Sequence, residues 1–292
     1  QDRIMFTNIQ NLPEPVVKAL SSDDYSSGAV NSSVTTLIDS PQIKILSRKH
    51  QDDISYDVSE RLWSVLGTAV HNMFEDHASG DYLSEERLFT EVNGWKVSGA
   101  IDIQKAEKDG SVTILDYKCT SVWSVIFGKD SWQQQLNFYA YLVRKCKGLT
   151  VSKLQICAVL RDWKMSDAEF KSDYPKSPIT VIDIPLWSTS QQDEFVSNRV
   201  RLHQDAETAY AMGETIPPCT PEERWLRPTK YAVMKKGRKR AIKLHDDETE
   251  AHGHAETLGK DHTVELRKGE AVRCEKYCPV AQFCPQYQKE IA

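Results

Sequence analysis

The chain has 292 residues, 40% of them hydrophobic and 27% charged, with a formal net charge of −5. That length and ordinary globular balance allow one substantial core, or a core with an appendage, and no apolar run approaches the roughly 20 residues of a membrane-spanning helix. The first residues show no signal-peptide pattern, so a cytoplasmic, reducing setting is the expectation, and the seven cysteines then point to metal or redox chemistry more than to disulfides.

In chain order, Pro13 and Pro15 open a short helix over 12–20, and a Ser-, Asp- and Gly-rich stretch over 21–31 reads as loop. Ser32 and Ser33 mark a capped helix start, and Pro41 breaks it before a second helix that runs to about His50. The clearest early helix covers 59–78, capped by Ser59, with Leu62, Trp63, Leu66, Val70, Met73 and Phe74 as its apolar stripe. His71 and Glu75 lie four apart on one face of it. Taken alone, such a histidine reads as a surface or core residue.

Residues 88–92 and 95–103 form a hairpin about Asn93-Gly94, and a strand over 112–117 follows Asp109-Gly110. A long helix over 131–146 aligns Trp132, Leu136, Tyr139 and Val143. Strands at 154–161 and 179–185 precede a mostly polar helix over 189–212, ended by Gly213. The tail holds a basic hairpin over 231–244, a helix over 246–258, a strand over 263–266 and a Cys- and Pro-rich end. This order predicts an α/β fold: an extension over 1–30, a helix-flanked mixed sheet over 31–215, and a tail over 216–292 packed on it.

Two neighbouring strand ends carry the chemistry. Asp116 and Lys118 share one face of their strand, and Asp102 on the partner strand faces them across the ladder. Two carboxylates and an ammonium at one place are costly to hold together without a task. One divalent cation held by the carboxylates, with the lysine beside an attacking water, supplies one. Glu85, Glu86 and Glu91 precede this pair and read as solvated, Glu91 on the strand leading into the site.

The ordered set Gly67-Thr68-Ala69-Val70-His71 with Glu75, Gly99-Ala100-Ile101-Asp102, Asp116-Tyr117-Lys118 and Gln135-Leu136-Asn137-Phe138-Tyr139 resembles the RecB-like branch of the PD-(D/E)XK nuclease superfamily. That branch includes nuclease domains of recombination helicases, CRISPR-associated RecB-like exonucleases and phage recombination exonucleases. The likeness spans about 60–140, with Asp116 where Glu is commoner and no Pro before Asp102. It implies a restriction-endonuclease-like core and a Mg²⁺- or Mn²⁺-dependent DNA exonuclease. His71, Asp102, Asp116 and the Tyr117 backbone carbonyl would hold the metal. Lys118 would orient or deprotonate water, and Gln135 and Tyr139 would steady the site or touch DNA. A fold of this kind retained only to bind DNA is the alternative.

Cys274, Cys278 and Cys284 form a closely spaced triad, and Cys219 in a proline-framed loop is the nearest fourth ligand, with His252, His254 and His262 in reserve. Resemblance to cluster-bearing relatives implies [4Fe–4S], with zinc as the alternative; those relatives carry their fourth cysteine before the core, where this chain has none. Cys119, Cys146 and Cys157 read as small core residues. Between Arg224 and Lys243 lie nine Lys/Arg and no Asp/Glu. Lys235, Lys236, Arg238, Lys239 and Arg240, flanked by Trp225 and Tyr231, are the expected DNA contacts. DNA is therefore the expected partner, with a homo-oligomer or a recombination protein alongside it, in a bacterial or phage-infected cell.

Overall fold

The computed structural model describes residues 5–22 and 31–291, and its longest hairpin turns on Asn93-Gly94. Both residues take positive φ, 49° and 78°, which matches the twist of the flanking strands and joins Tyr82–Val92 to Trp95–Ala106 through two residues. Trp95–Ala106 then pairs antiparallel with Val112–Thr120, across a loop where Asp109 accepts from the Ser111 backbone and hydroxyl. Val112–Thr120 pairs parallel with Val151–Leu160, which pairs antiparallel with Ile179–Ile184. The short strand Ser32–Ser33 adds a parallel edge. The result is the mixed sheet that the element order predicts, with helices against it.

A parallel pair needs a long crossover, and the helix Asp130–Lys147 supplies it. Its predicted stripe of Trp132, Leu136, Tyr139 and Val143 is buried in one core with Val34, Ile101, Ile114 and Leu154. Gly99 explains how closely that helix approaches. A Cβ there would lie 2.7 Å from Leu142 Cδ1 and 2.9 Å from Tyr139 Cε1. Helix Thr189–Ala211 starts from a capping box of Ser188 and Gln191 and buries Val196, Val200 and His203.

Several expectations change. The strand expected over 88–92 begins at Tyr82. The helix expected over 59–78 spans Leu62–Glu75, after a tight turn Val58–Arg61 capped by Asp57 rather than Ser59. None of its residues is buried; Leu62, Trp63 and Met73 are 47%, 50% and 53% exposed. Apolar spacing reports a face, not what covers it. From Ser32 the chain forms the short strand first and a single helical turn, Val34–Leu37, capped by Ser33. Of the three lone cysteines, Cys157 is buried but Cys146 is exposed. The loop expected over 21–31 lies mostly outside the described residues. Among those described, no helix is long and apolar enough to cross a membrane.

The chain divides into two compact units, Gln1–Pro41 with Gln51–Ile216, and Gln42–His50 with Pro217–Ala292. In the second, Lys230–Lys235 pairs antiparallel with Lys243–His245 and with His262–Arg267, and Glu248–Leu258, capped by Asp247, packs Ala251 and Ala255 on Val233. Residues 238–240 lie in the connection between the first two strands rather than in a strand.

Asp57 ties the entry of the Leu62–Glu75 helix to the strand Met5–Thr7. Its carboxylate accepts from Ser59 Oγ at 2.6 Å, Ile9 N at 2.7 Å, Thr7 Oγ1 at 3.1 Å and Ser59 N at 3.1 Å. These bonds, the Ser59 hydroxyl foremost, hold its pKa at about 2, below the ordinary 3.8. A depressed carboxylate pKa gives stability that is present above the unfolded value and lost as pH falls through the folded one. Asp57→Asn is therefore expected to lower stability at neutral pH and to weaken the fall in melting temperature between pH 4 and pH 2, measured by circular dichroism.

Candidate active site

The hairpin register brings the two aspartates together, and both strands run on past them, so the pair lies within the sheet rather than at the strand ends that the sequence suggests. Ile103 pairs with Leu115, so Asp102 comes opposite Asp116, and Asp102 Oδ2 accepts from Tyr117 N at 2.8 Å. Both aspartates are buried. The oxygens of Asp116 are held from two sides. Gln135 Nε2 lies 3.3 Å from Oδ1, and Lys118 Nζ lies 2.7 Å from Oδ2. Gln135 also donates to the Tyr139 hydroxyl at 2.9 Å, one helical turn along. The Lys118 contact is an ion pair without an aligned hydrogen bond, so Oδ2 stays a buried acceptor with unused capacity.

The Leu62–Glu75 helix sets His71 above these strands. Its Nε2 lies 3.0 Å from the Tyr117 carbonyl oxygen and its Nδ1 lies 3.5 Å from Asp102 Oδ2. A carbonyl only accepts, so Nε2 carries the proton of the neutral ring and Nδ1 keeps its lone pair. Burial lowers the pKa of His71, outweighing the opposing pull of Asp116. A neutral imidazole is the form that binds metal.

Glu85 is the residue that sequence reading missed. Ser84 pairs with Ile103 and Glu86 with Ile101, so Glu85 falls opposite Asp102. Its φ is +49°, a left-handed value in mid-strand that a glutamate seldom adopts. His71, Glu85 and Asp102 bring one ligand atom each within 4.8 Å of one another. No motif flags this, because nothing but the backbone twist separates Glu85 from its neighbours. Glu86 instead meets Gln104 and Lys147, both at 2.6 Å, and Glu91 is exposed.

Electrostatics fit this donor set to a divalent cation. Burial, then repulsion from Asp116, pushes Asp102 far above the ordinary carboxylate range. Glu85 is exposed, yet partial desolvation, then Glu75 and Asp116, raise its pKa as well. Desolvation works against the Lys118 ammonium, but Asp116 and Asp102 outweigh it and raise its pKa. Carboxylates whose charged forms are disfavoured by burial and by one another, beside a neutral imidazole nitrogen, are ligands for a hard or borderline cation. The cleft around them has a volume of about 700 Å³ and is lined by Trp63, Gly67, His71, Glu75 and Arg87 as well as by the acidic residues.

The tail residues lie in the second unit, considered by itself. Gln42 Nε2 is 3.1 Å from Cys284 Sγ and 3.7 Å from Cys219 Sγ. Gln286 bonds the Cys219 backbone through both ends of its amide, at 2.9 Å and 3.0 Å. Burial raises the Cys278 pKa, and the neighbouring Cys274 and Cys284 add to the rise. Among the described residues, no three of Cys219, Cys274, Cys278 and Cys284 converge within 4.8 Å as the His71 group does. His254 Nδ1 meets His245 Nε2 at 2.9 Å, His262 Nδ1 meets the Gly259 carbonyl at 3.2 Å, and His252 is exposed. Lys235, Lys236, Arg238, Lys239 and Arg240 are all exposed.

A family model described as the PD-(D/E)XK nuclease superfamily matches residues 78–285. Among solved structures, the crystal structure of SSO0001 is similar at 17% identity over 65% of this chain and 85% of that one, with a TM-score of 0.43. A "Putative exonuclease" from Eubacterium rectale is similar at 11% identity over 75% and 85%, with a TM-score of 0.29. No curated protein matches the sequence.

Neutralising one of two crowded carboxylates should stabilise the metal-free protein. In EDTA, Asp102→Asn is expected to melt above the unaltered protein, because Asn still accepts from Tyr117 N without adding charge. Mn²⁺ should raise the melting temperature of the unaltered protein and leave the variant's unchanged, as thermal-shift measurements would read.

Proposed function

The chain belongs to the PD-(D/E)XK nuclease superfamily, and we propose that it is a Mg²⁺- or Mn²⁺-dependent deoxyribonuclease of the RecB-like type, degrading DNA from ends in recombination, repair or phage DNA processing. The observation that carries the reading is the meeting of Asp102, Asp116 and Lys118 on adjacent strands, with Asp116 gripped by Gln135. End-directed action rests on resemblance to the RecB-like branch through Gln135 and Tyr139.

His71 Nδ1, Glu85 and Asp102, with Asp116 and the Tyr117 carbonyl as further oxygen donors, would hold the cation. When bound, a divalent ion lowers the pKa of a ligated water and polarises phosphoryl oxygens. The chain's own residues do the rest. Lys118, kept as an ammonium by Asp116, orients a water and offsets phosphate charge. Gln135 and Tyr139 act as positioning residues, fixing one Asp116 oxygen so that the other faces Lys118. Burial of both aspartates keeps bulk water from screening these charges.

Two features of the second unit extend the reading. The exposed run from Lys235 to Arg240 tracks phosphates. Cys219, Cys274, Cys278 and Cys284 would hold a [4Fe–4S] cluster, which would join the two ends of the basic segment. Arg224 and Arg273 beside the triad offset its negative charge.

End-labelled single- and double-stranded DNA, each with its 5′ or 3′ end protected, incubated with Mn²⁺, gives the test. Degradation that EDTA stops, and that spares covalently closed circles, is expected. Asp116→Ala or Lys118→Ala should reduce the rate by about 10²-fold or more while the fold survives. Full activity in either variant would remove the reading, and DNA binding without cleavage would make the chain a binding module. Alanine at Lys235, Lys236, Arg238, Lys239 and Arg240 should weaken binding and flatten its salt dependence. Visible absorption that disappears in Cys274→Ser would separate iron–sulfur from colourless zinc.

A further inference from the structure

Large aromatic side chains stand uncovered at the end of the sheet where Lys118 lies. Trp63, on the wall of the cleft, is 50% exposed. Trp123 and Phe127 are 55% and 78% exposed, on a short helix, Val122–Phe127, that begins four residues after Lys118. Their rings stack at 5.7 Å between centroids with 13° between planes. Rings of this size are ordinarily buried, and several exposed together mark a surface with a task.

Cations accompany them. The Arg161 guanidinium lies 4.6 Å from the centre of the Trp63 ring. Arg161 N donates to Thr120 O at 3.0 Å, which ties this arginine to the strand that bears Lys118. Partial desolvation, then repulsion from Arg161 and Lys118, lowers the pKa of Lys129, so these three cations share one region. Neither Arg161 nor Lys129 has a carboxylate within ion-pair distance among the described residues, and both are exposed. Lys129 Nζ also lies 5.6 Å from the centre of the Trp132 ring, so both cations sit against rings rather than against carboxylates.

Exposed aromatic rings beside cations that no carboxylate neutralises match one ligand chemistry in both parts. Unpaired bases offer π-faces for stacking, and the strand that carries them offers phosphates. A duplex offers the phosphates but keeps its base faces stacked on one another. We propose that Trp63, Trp123 and Phe127, with Arg161 and Lys129, form a platform for a single-stranded DNA segment beside the metal site, so that the substrate is an unpaired strand or tail. The proposal rests on the nuclease reading of the adjacent site and names the strand state that site would accept.

Binding in EDTA, where no strand is cut, tests the platform apart from catalysis. Fluorescence anisotropy of labelled oligothymidylate and of a blunt duplex would be measured with the full chain. Trp63→Ala, and Trp123→Ala with Phe127→Ala, should each weaken oligothymidylate binding about tenfold, the size of one lost stacked base. Duplex binding should change less than about twofold, the rings having no base face to meet there. Trp63→Phe, which keeps a ring, should retain most of the affinity and serves as the folding control. Arg161→Ala with Lys129→Ala should weaken both ligands and reduce the salt slope. Equal losses on duplex and single strand in the Trp63 and Trp123/Phe127 variants, or no loss on either ligand in them, would overturn the proposal. If the chain cut no DNA in Mn²⁺ yet showed the selective loss, the nuclease reading would fall and the platform would stand. Cleavage without the selective loss would have the opposite meaning.

Discussion

Two carboxylates buried side by side repel one another, and the rest of the site is arranged around that repulsion. Asp102 is met by a backbone N–H, and Asp116 by an amide on one oxygen and an ammonium on the other. Two of these donors, Tyr117 N and Lys118, come from the strand Val112–Thr120, and the third, Gln135, comes from the crossover helix. The crossover helix can bring Gln135 within reach only because Gly99 lets Tyr139 and Leu142 sit against bare backbone. A packing detail in the core therefore governs an electrostatic detail in the cleft. The remaining imbalance, a raised pKa on both Asp102 and Glu85, is what a divalent cation would relieve.

The two helices flanking the site differ in kind. Asp130–Lys147 buries ten of its eighteen residues and holds Gln135 as firmly as the core holds together. Leu62–Glu75 buries none, although it carries His71. Regions with few buried apolar contacts open at lower free energy than the core. One wall of the cleft is thus rigid scaffold and the other is loosely supported, with the imidazole on the side better able to adjust to an ion and a substrate.

Much of this was legible beforehand, because period-two and period-3.6 patterns record which faces meet. Asp102 and Asp116 could be placed opposite each other from strand alternation and a turn signal. Tyr139 and Val143 could be placed in the core from helical spacing. Where expectation and structure part, the deciding quantity is not periodic. The stripe through Trp63 and Met73 has faultless helical spacing but stays uncovered, since spacing does not say whether a partner exists. Ser59 resembles a helix cap as well as Asp57 does, and tertiary bonds from Thr7 and Ile9 decide between them. Glu85 was hidden among acidic neighbours because its role depends on a single dihedral angle. The grouping of residues 42–50 with the tail has no mark in composition at all.

That dihedral has a genetic consequence. Glycine is the residue that adopts a φ of +49° without strain, and every glutamate codon becomes a glycine codon by one base change. At position 85 the shortest mutational path from glutamate thus leads to a residue that fits the backbone better and removes a carboxylate from a crowded cleft. A population screened for thermal robustness alone would drift toward that glycine and lose the carboxylate proposed as a metal donor. A screen for activity would hold the strained glutamate in place, so the two selections would pull this one codon in opposite directions.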